Sequence, residues 1–433
     1  MSPTVTGIVG LSILLIILFS RMPISFGMGF MGFIGFAYLV GIGPALGLLK
    51  TVPYSTFASQ SLSVIPLFIL MGSFAFSAGI SKDLYEAVYK WLGHRRGGLA
   101  MATVGACACF ASISGSSMAT AATMGTVALP EMKKYKYDPA LATGAVAAGG
   151  SMGILIPPSV ILIIYGIITE QSIGKLFLAG FIPGIMEAIF YMIVIAILTR
   201  FKPDLGPRGP KTSFREKVAA FARTWEVFVL FLVVIGGIYL GVFTPTEAAG
   251  IGAFGAFLFA LFKKRLTWEI FKRSLSDTVK TSVMVFAIVL GAMLLGYFLT
   301  VTRIPFDLAG FVGNLPLNRY FILALILIVF LALGCVIDTM AIVLLTVPIF
   351  YPLIMQLGFN PIWFGILVVR TTEMGLITPP VGLNVFVIKG VAKDVPIGTI
   401  FRGIFPFLFA DLCQVALLVA FPQISLFIPN LMD

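Results

Sequence analysis

Two short stretches hold the residues best suited to chemistry. One is Ala111-Ser112-Ile113-Ser114-Gly115-Ser116-Ser117, and the other is Gly334-Cys335-Val336-Ile337-Asp338-Thr339. Each interrupts a long apolar run with small or polar residues that end a helix. Two further stretches are near copies of one another: Met152-Gly153-Ile154-Leu155-Ile156-Pro157-Pro158 and Met374-Gly375-Leu376-Ile377-Thr378-Pro379-Pro380. Their Pro-Pro pairs remove amide donors and forbid continuous helix. Carbonyls beside such a break lose their helical partners and can coordinate a cation, while helix N-termini face an anion. Serine and threonine hydroxyls and the Asp338 carboxylate would complete the all-oxygen set that a hard cation prefers.

A plainer account exists for each feature. Gly/Pro kinks occur in membrane helices that hold no ion, and Ser or Thr often bonds only to the preceding turn. Asp338 could simply sit at a hydrated hairpin tip, although an ionisable group at membrane depth is a functional candidate by default. What favours a site is the pairing: two kinks, each beside a polar tip. Enzyme chemistry finds no support. His94 is the sole histidine, and no metal-ligand set or nucleophile–base pair is visible. Cys107, Cys109, Cys335 and Cys413 sit in apolar runs without CxxC spacing and read as small core residues.

The elements that carry these stretches follow from composition. Of 433 residues, 59% are hydrophobic and 11% charged, and the mean hydropathy is +1.07. A soluble protein is about a quarter charged, so the natural solvent is a bilayer, with about 20 apolar residues per crossing. The apolar runs are continuous rather than alternating, which excludes a porin-type barrel. The runs fall near 4–20, 24–41, 55–80, 97–130, 139–168, 176–199, 225–243, 247–262, 278–300, 305–352, 361–388 and 404–428. The first lacks a basic segment and a cleavage site and is expected to be a retained helix.

The net charge of +11 is topological and does not imply nucleic acid, because Lys and Arg collect on the cytoplasmic side. Basic segments 200–223 and 263–273 belong there. Run 97–130 is flanked by Lys82, Lys90, Arg95 and Arg96 before it and by Lys133, Lys134 and Lys136 after it. A single crossing would strand one basic flank outside, so this run is expected to be a re-entrant hairpin. Counting onward places run 305–352 as a second hairpin based on the outer face. Counting backward places Arg21 inside, and both termini fall outside.

An internal repeat reinforces the count. At a shift of 222 the two breaks coincide, and Ser116-Ser117-Met118-Ala119 falls on Asp338-Thr339-Met340-Ala341. Pro130 falls on Pro352 and Asp138-Pro139 on Asn360-Pro361. At a shift of 224, Ile80-x-x-Asp83-Leu84 falls on Ile304-x-x-Asp307-Leu308, and Ile173-Gly174 falls on Ile397-Gly398. The copies start on opposite sides, so the repeat is inverted, as in many secondary transporters. The expected organisation is scaffold helices in 1–79 and a first repeat in 80–184 (hairpin 97–130, broken helix 139–168). Scaffold or arm helices follow in 185–300, then a second repeat in 304–407 (hairpin 305–352, broken helix 361–388) and a C-terminal helix in 408–433. The fold class is an all-α polytopic membrane protein.

These residues resemble those of the large membrane subunit of TRAP (tripartite ATP-independent periplasmic) transporters, within the wider ion-transporter superfamily. The resemblance rests on the tip 114–121, the break Ala148-Gly149-Gly150-Ser151-Met152-Gly153 through Ser159, Gly334 through Asp338, and Glu373 through Asn384. Arg21-Met22-Pro23-Ile24 also fits. It covers essentially the whole chain. It departs at Arg370, where the family usually carries a neutral residue. Arg370 is expected to be structural, with Glu373 one possible partner and an anionic substrate another.

The resemblance implies an elevator-type importer of a small organic anion, a carboxylate or sulfonate, driven by sodium and using no other cofactor. It implies a bacterial or archaeal inner-membrane location. It also implies a small membrane subunit of about four helices and a periplasmic substrate-binding protein as partners. One sodium site is implied between Ser114, Ser116 or Ser117 and the backbone at Gly149, Gly153 and Pro157. A second is implied between Gly334, Asp338 or Thr339 and the backbone around Thr371, Thr372, Gly375 and Thr378. Substrate is implied near Ser116, Ser117, Ser159, Asp338, Thr378, Pro380 and Asn384, with Arg303 a further candidate. A self-sufficient sodium/dicarboxylate symporter of the same superfamily is the alternative. Glu247, after Thr244-Pro245-Thr246, reads as a helix cap.

Overall fold

The structure is a computed structural model that describes residues 2–20, 22–313 and 316–432. Arg21, with its part in the topology and the N-terminal motif, lies outside the described residues. All regular elements described are helices. The N-terminal block is α1 (Pro3–Phe19), α2 (Ile24–Val40), α3 (Ile42–Phe57) and α4 (Val64–Ser77). A first set of six follows: α5 (Ile80–Leu92), α6 (Gly98–Ser114), α7 (Ser117–Lys134), α8 (Pro139–Leu155), α9 (Val160–Thr169) and α10 (Ile173–Phe201). The middle holds α11 (Phe214–Ala222), α12 (Trp225–Phe231), which runs through a π turn into α13 (Gly237–Tyr239), then α14 (Pro245–Phe262) and α15 (Trp268–Thr302). The second set is α16 (Ile304–Gly313), α17 (Arg319–Gly334), α18 (Thr339–Gln356), α19 (Pro361–Leu376), α20 (Leu383–Val391) and α21 (Ile397–Ala420), with α22 (Gln423–Leu426) after it. Seven helical segments among the described residues are long and apolar enough to cross a membrane, or eight if the pair 214–222 and 225–239, bent by 49°, counts as one.

The repeat appears as two sets of six helices, α5–α10 and α16–α21, with helix caps at equivalent positions. Asp138 Oδ1 accepts the amides of Ala140 and Leu141 at 2.9 and 3.1 Å. Asn360 Oδ1 accepts those of Ile362 and Trp363 at the same two distances. In each case proline occupies the first helical position, where no donor is needed. Ser116 caps α7 by accepting the Ala119 amide, and Asp338 caps α18 by accepting the Met340 amide.

The hairpin 97–130 is α6 and α7, packed together, and the break 139–168 is α8 and α9. The second hairpin differs from the expectation of 305–352. It is α17 and α18, residues 319–356, and 304–313 is the separate α16, the counterpart of α5. Hydropathy runs on from α16 into α17, and Asn318 caps α17 by accepting the Tyr320 amide at 2.9 Å. Helix α3 was invisible in hydropathy because Pro44, Lys50 and Pro53 dilute it. Helices α10 and α21 cross positions 184 and 407, where the repeats were bounded. The broken second span ends in α20 at Val391, and the last long helix starts at Ile397.

Contacts tie many of the loops to one another, and the two sides are those that charge implies. On one side Lys263 pairs with Asp83 at 2.8 Å and Glu226 at 3.2 Å, and Lys133 with Asp394 at 2.5 Å. There the Gly97 amide also bonds to Gly206 and the Asp138 amide to Leu205. On the other side Tyr165 donates to the Pro361 carbonyl at 2.6 Å, Gln171 to Tyr351 at 3.1 Å, and Thr4 to Asp307 at 2.7 Å. Glu247 caps α14 in a reciprocal box with Thr244. Cys107 and Cys335 are buried, and all four cysteines are free thiols.

Candidate functional site

The two hairpin tips meet across one carboxylate. Ser117, the first residue of α7, donates to Glu373 Oε2 at 2.5 Å, and Thr339, the first residue of α18, donates to Oε1 at 2.9 Å. Glu373 lies in the last turn of α19 and is fully buried. Among the described residues it has no ion pair, so two neutral hydroxyls are its recorded partners. The helix N-termini of α7 and α18 therefore converge on one buried region, each supplying unsatisfied amides and a positive dipole end.

Each tip also lies hard against a helix break. At the first, Ser114 Oγ and Thr120 Oγ1 are 2.7 Å apart, and Thr120 donates to the Ser116 carbonyl at 2.8 Å. A Cβ added to Gly153 would stand 2.7 Å from that carbonyl oxygen and 2.9 Å from Thr120 Oγ1. Gly115, with φ +59°, turns the chain beside the Pro158 carbonyl. At the second tip, a Cβ on Gly375 would stand 2.5 Å from Gly334 Cα, and one on Gly334 would stand 2.8 Å from the Thr372 carbonyl oxygen. The Gly382 amide donates to the Cys335 carbonyl at 3.2 Å. Gly153 and Gly375 thus occupy equivalent positions and do the same work, admitting a hairpin backbone to a broken helix.

The structure brings Ser114, Ser116, Ser117 and Gly153 into one oxygen-rich cluster, with Thr120 as an unforeseen member. It brings Gly334, Thr339, Thr372 and Gly375 into another, with Asp338 capping α18 at its edge. Gly149 lies one turn earlier, its open face against Cys107. Pro157 and Ser159 are buried, and Ser159 caps α9 by accepting the Leu162 amide at 3.3 Å. Thr372 donates to the carbonyls of Val368 and Val369, and Thr378 to that of Met374. Thr371 Oγ1 and both amide atoms of Asn384 are buried with no partner among the described residues. Such groups cost free energy unless something completes them, and they fit an ion or substrate better than a closed core. Pro380 is exposed, whereas the equivalent first break is buried. Arg303 is exposed at the C-cap of α15, apart from the tips.

Beside the first tip opens a cavity of about 600 Å³. Ser114, Ser116, Ser117 and Asp338 line it from the hairpins, Gly72 and Ser73 from α4, and Asp277 and Thr281 from α15. Its described lining includes two carboxylates and no Lys or Arg. Among the described residues no group of three or more His, Cys, Asp or Glu could hold a metal ion.

Four charged residues, Arg370, Glu187, Asp411 and Glu373, lie outside the expected sites or find other partners. Arg370 is fully buried and pairs with Glu187 at 3.2 Å and with Asp411, and its Nε donates to Gln414 at 2.7 Å. It does not pair with Glu373. Glu187 on α10 and Asp411 on α21 are 224 residues apart, the repeat shift, so the two copies contribute equivalent acids to one guanidinium. The signal was present in the sequence: lone carboxylates inside apolar runs, at the repeat spacing. Glu373 carries the same signal as Asp338, a lone carboxylate inside an apolar run.

Comparison with known proteins identifies this architecture. The family model for the tripartite ATP-independent periplasmic transporter, DctM component, matches residues 11–424. The C4-dicarboxylate TRAP transporter large permease protein of Pseudomonas aeruginosa is 39% identical over 378 residues, covering 87% of this chain and 88% of that protein. The sialic acid TRAP transporter large permease protein of Vibrio cholerae is 32% identical, covering 96% of each. The isethionate TRAP transporter permease protein DctMQ of Oleidesulfovibrio alaskensis is 32% identical over 86% of this chain and 58% of that protein. The fold is similar to that of the Alcanivorax borkumensis YdaH transporter, with a TM-score of 0.60 at 14% identity, covering 87% of this chain and 88% of that one. The chain is a membrane transport protein, not an enzyme, and belongs to the DctM family of tripartite ATP-independent periplasmic transporter permeases.

Proposed function

We propose that the chain is the large permease of a sodium-coupled importer for a small organic anion, a carboxylate or sulfonate. The observation that carries this is the meeting of two capped hairpin tips across Glu373, each seated on a glycine of a broken helix. An anion entering this cavity meets carboxylates and no cationic side chain among the described lining. Its charge must be balanced by the N-termini of α7 and α18 and by cations bound with it. Sodium fits the donors present: hydroxyls, freed carbonyls and carboxylates.

One sodium ion would sit between Ser114, Ser116 or Ser117 and the backbone near Gly149, Gly153 and Pro157. The other would sit between Gly334, Asp338 or Thr339 and the backbone near Thr371, Thr372, Gly375 and Thr378. Substrate would bridge the tips toward Ser159, Thr378, Pro380 and Asn384. Arg303 belongs to this reading only if a partner or a domain movement brings it inward. The six-helix repeats would move as an elevator against the remaining helices, in an inner membrane with both termini outside. The family description names a tripartite assembly, which supports a small membrane subunit and a periplasmic binding protein as partners. The relatives' names cover C4-dicarboxylates, sialic acid and isethionate, so the substrate class is the anion and not one compound.

The test is uptake into proteoliposomes holding this chain, its small subunit and its binding protein. Uptake should require an inward sodium gradient, and Ser116→Ala and Asp338→Ala should each weaken the sodium dependence. Wild-type sodium dependence in both variants would refute the site, and uptake without sodium would refute the coupling.

A further inference from the structure

The Arg370 cluster does not balance its charge. One guanidinium faces two carboxylates, Glu187 and Asp411, and all three side chains are at most 1% exposed. The groups facing it are Ser151 from α8, Tyr191 from α10 and Gln414 from α21, with Glu373 one turn further along α19. Of the other helices packed on these four, α6, α9, α18 and α22 carry no charged side chain, and the charges of α7, α17 and α20 (Glu131, Lys133, Lys134, Arg319 and Lys389) lie near helix ends and are at least partly exposed. Ser151 donates to Glu187 Oε1 at 3.2 Å, and Gln414 donates to the Pro183 carbonyl at 2.7 Å, fixing the ring of partners. The second oxygen of each acid, Glu187 Oε2 and Asp411 Oδ2, is buried with no partner among the described residues. An uncompensated charge at this depth is costly, and its neutralisation is the usual outcome.

We propose that this cluster is a proton-binding site, holding one proton on the unpartnered oxygens of Glu187 or Asp411. The set is then one guanidinium, one carboxylate and one carboxylic acid, with no net charge. The proton belongs to the pair and not to either residue, as expected of acids that share one cation. Sodium suits the place less well, because the neighbouring Arg370 and Gln414 offer it donors where it needs oxygen ligands. The location gives the site its meaning: it joins α8, α10, α19 and α21, both broken helices and both long helices that follow them. A neutral joint lets these four move together without dragging a bare charge through the membrane.

Infrared difference spectra of the full chain in lipid nanodiscs at neutral pH, wild type against Glu187→Gln and against Asp411→Asn, decide the matter. Each single variant should lose one carboxylic-acid carbonyl band per chain and keep the wild-type number of ionised carboxylates. Loss of a carboxylate band, with the acid band intact, would show both acids ionised and overturn the proposal. Either variant that folds is sufficient. Failure of both to fold would also overturn it, because each leaves one carboxylate for one guanidinium.

Discussion

Ser117 and Thr339 stand 222 residues apart and grip opposite oxygens of the same carboxylate, Glu373. Each begins the second helix of its hairpin, so Glu373 ties together the tips of both repeats. Movement of either tip away from α19 must break one of these bonds. Glu373→Gln keeps the shape, with one hydroxyl turning to accept from the new amide, but removes the ionisable carboxylate. Half-maximal uptake should then need roughly tenfold more sodium, about 1.4 kcal/mol in binding. A sodium titration of proteoliposome uptake measures this, and an unchanged midpoint would leave Glu373 a purely structural tie.

Gly153 and Gly375 should fail in parallel. A methyl at either position enters space held by backbone, at 2.7 Å from an oxygen in one case and 2.5 Å from a Cα in the other. Backbone cannot yield as a flexible side chain can, so overpacking should cost about 1–3 kcal/mol. Gly153→Ala and Gly375→Ala should each lower the thermal midpoint and reduce sodium-driven uptake. Gly390→Ala, where a Cβ meets nothing within 4 Å, is the control. Equal behaviour of all three would mean that the tips are less closely seated than described.

The two hairpin bases should face opposite solutions. Lys134 and Lys393 are exposed on the side of the Lys133–Asp394 pair, and Glu170 and Gln356 are exposed on the side of the Gln171–Tyr351 bond. In a background lacking the four native cysteines, K134C and K393C should react with an impermeant thiol reagent only from the cytoplasmic face. E170C and Q356C should react only from the other. Labelling of position 134 from outside would invert the first hairpin.

Much of the architecture is legible in the sequence, and the reasons differ by element. Charge alone folded the run 97–130 into a hairpin, because a basic flank on each side leaves no other economical path. The break motifs named the seats of both tips through Gly153 and Gly375. What escaped was interaction between repeats. Neither hydropathy nor charge counting sees that Ser117 and Thr339 converge on Glu373, since the three lie on three helices. Hydropathy also merges α16 with the second hairpin, because it averages over the short polar cap Asn318 that starts α17. The partners of Arg370 need the pseudo-symmetry of α10 and α21, which is legible only when Glu187 and Asp411 are compared at the repeat shift.

That pairing sets a last expectation for Arg370. Arg370→Met removes the one cation that pairs with Glu187 and Asp411 among the described residues. A buried charge is left without its partner, a change that costs about 3–5 kcal/mol where it has been measured. The thermal midpoint should fall sharply. Adding Glu187→Gln and Asp411→Asn to Arg370→Met should recover much of the loss, because an uncharged set of similar volume no longer carries the desolvation penalty. The recovery should be far greater than the sum of the separate effects, since the three side chains share one network. A triple variant no more stable than Arg370→Met would mean that Arg370 works through its packing against Tyr191 and Gln414 and not through its charge.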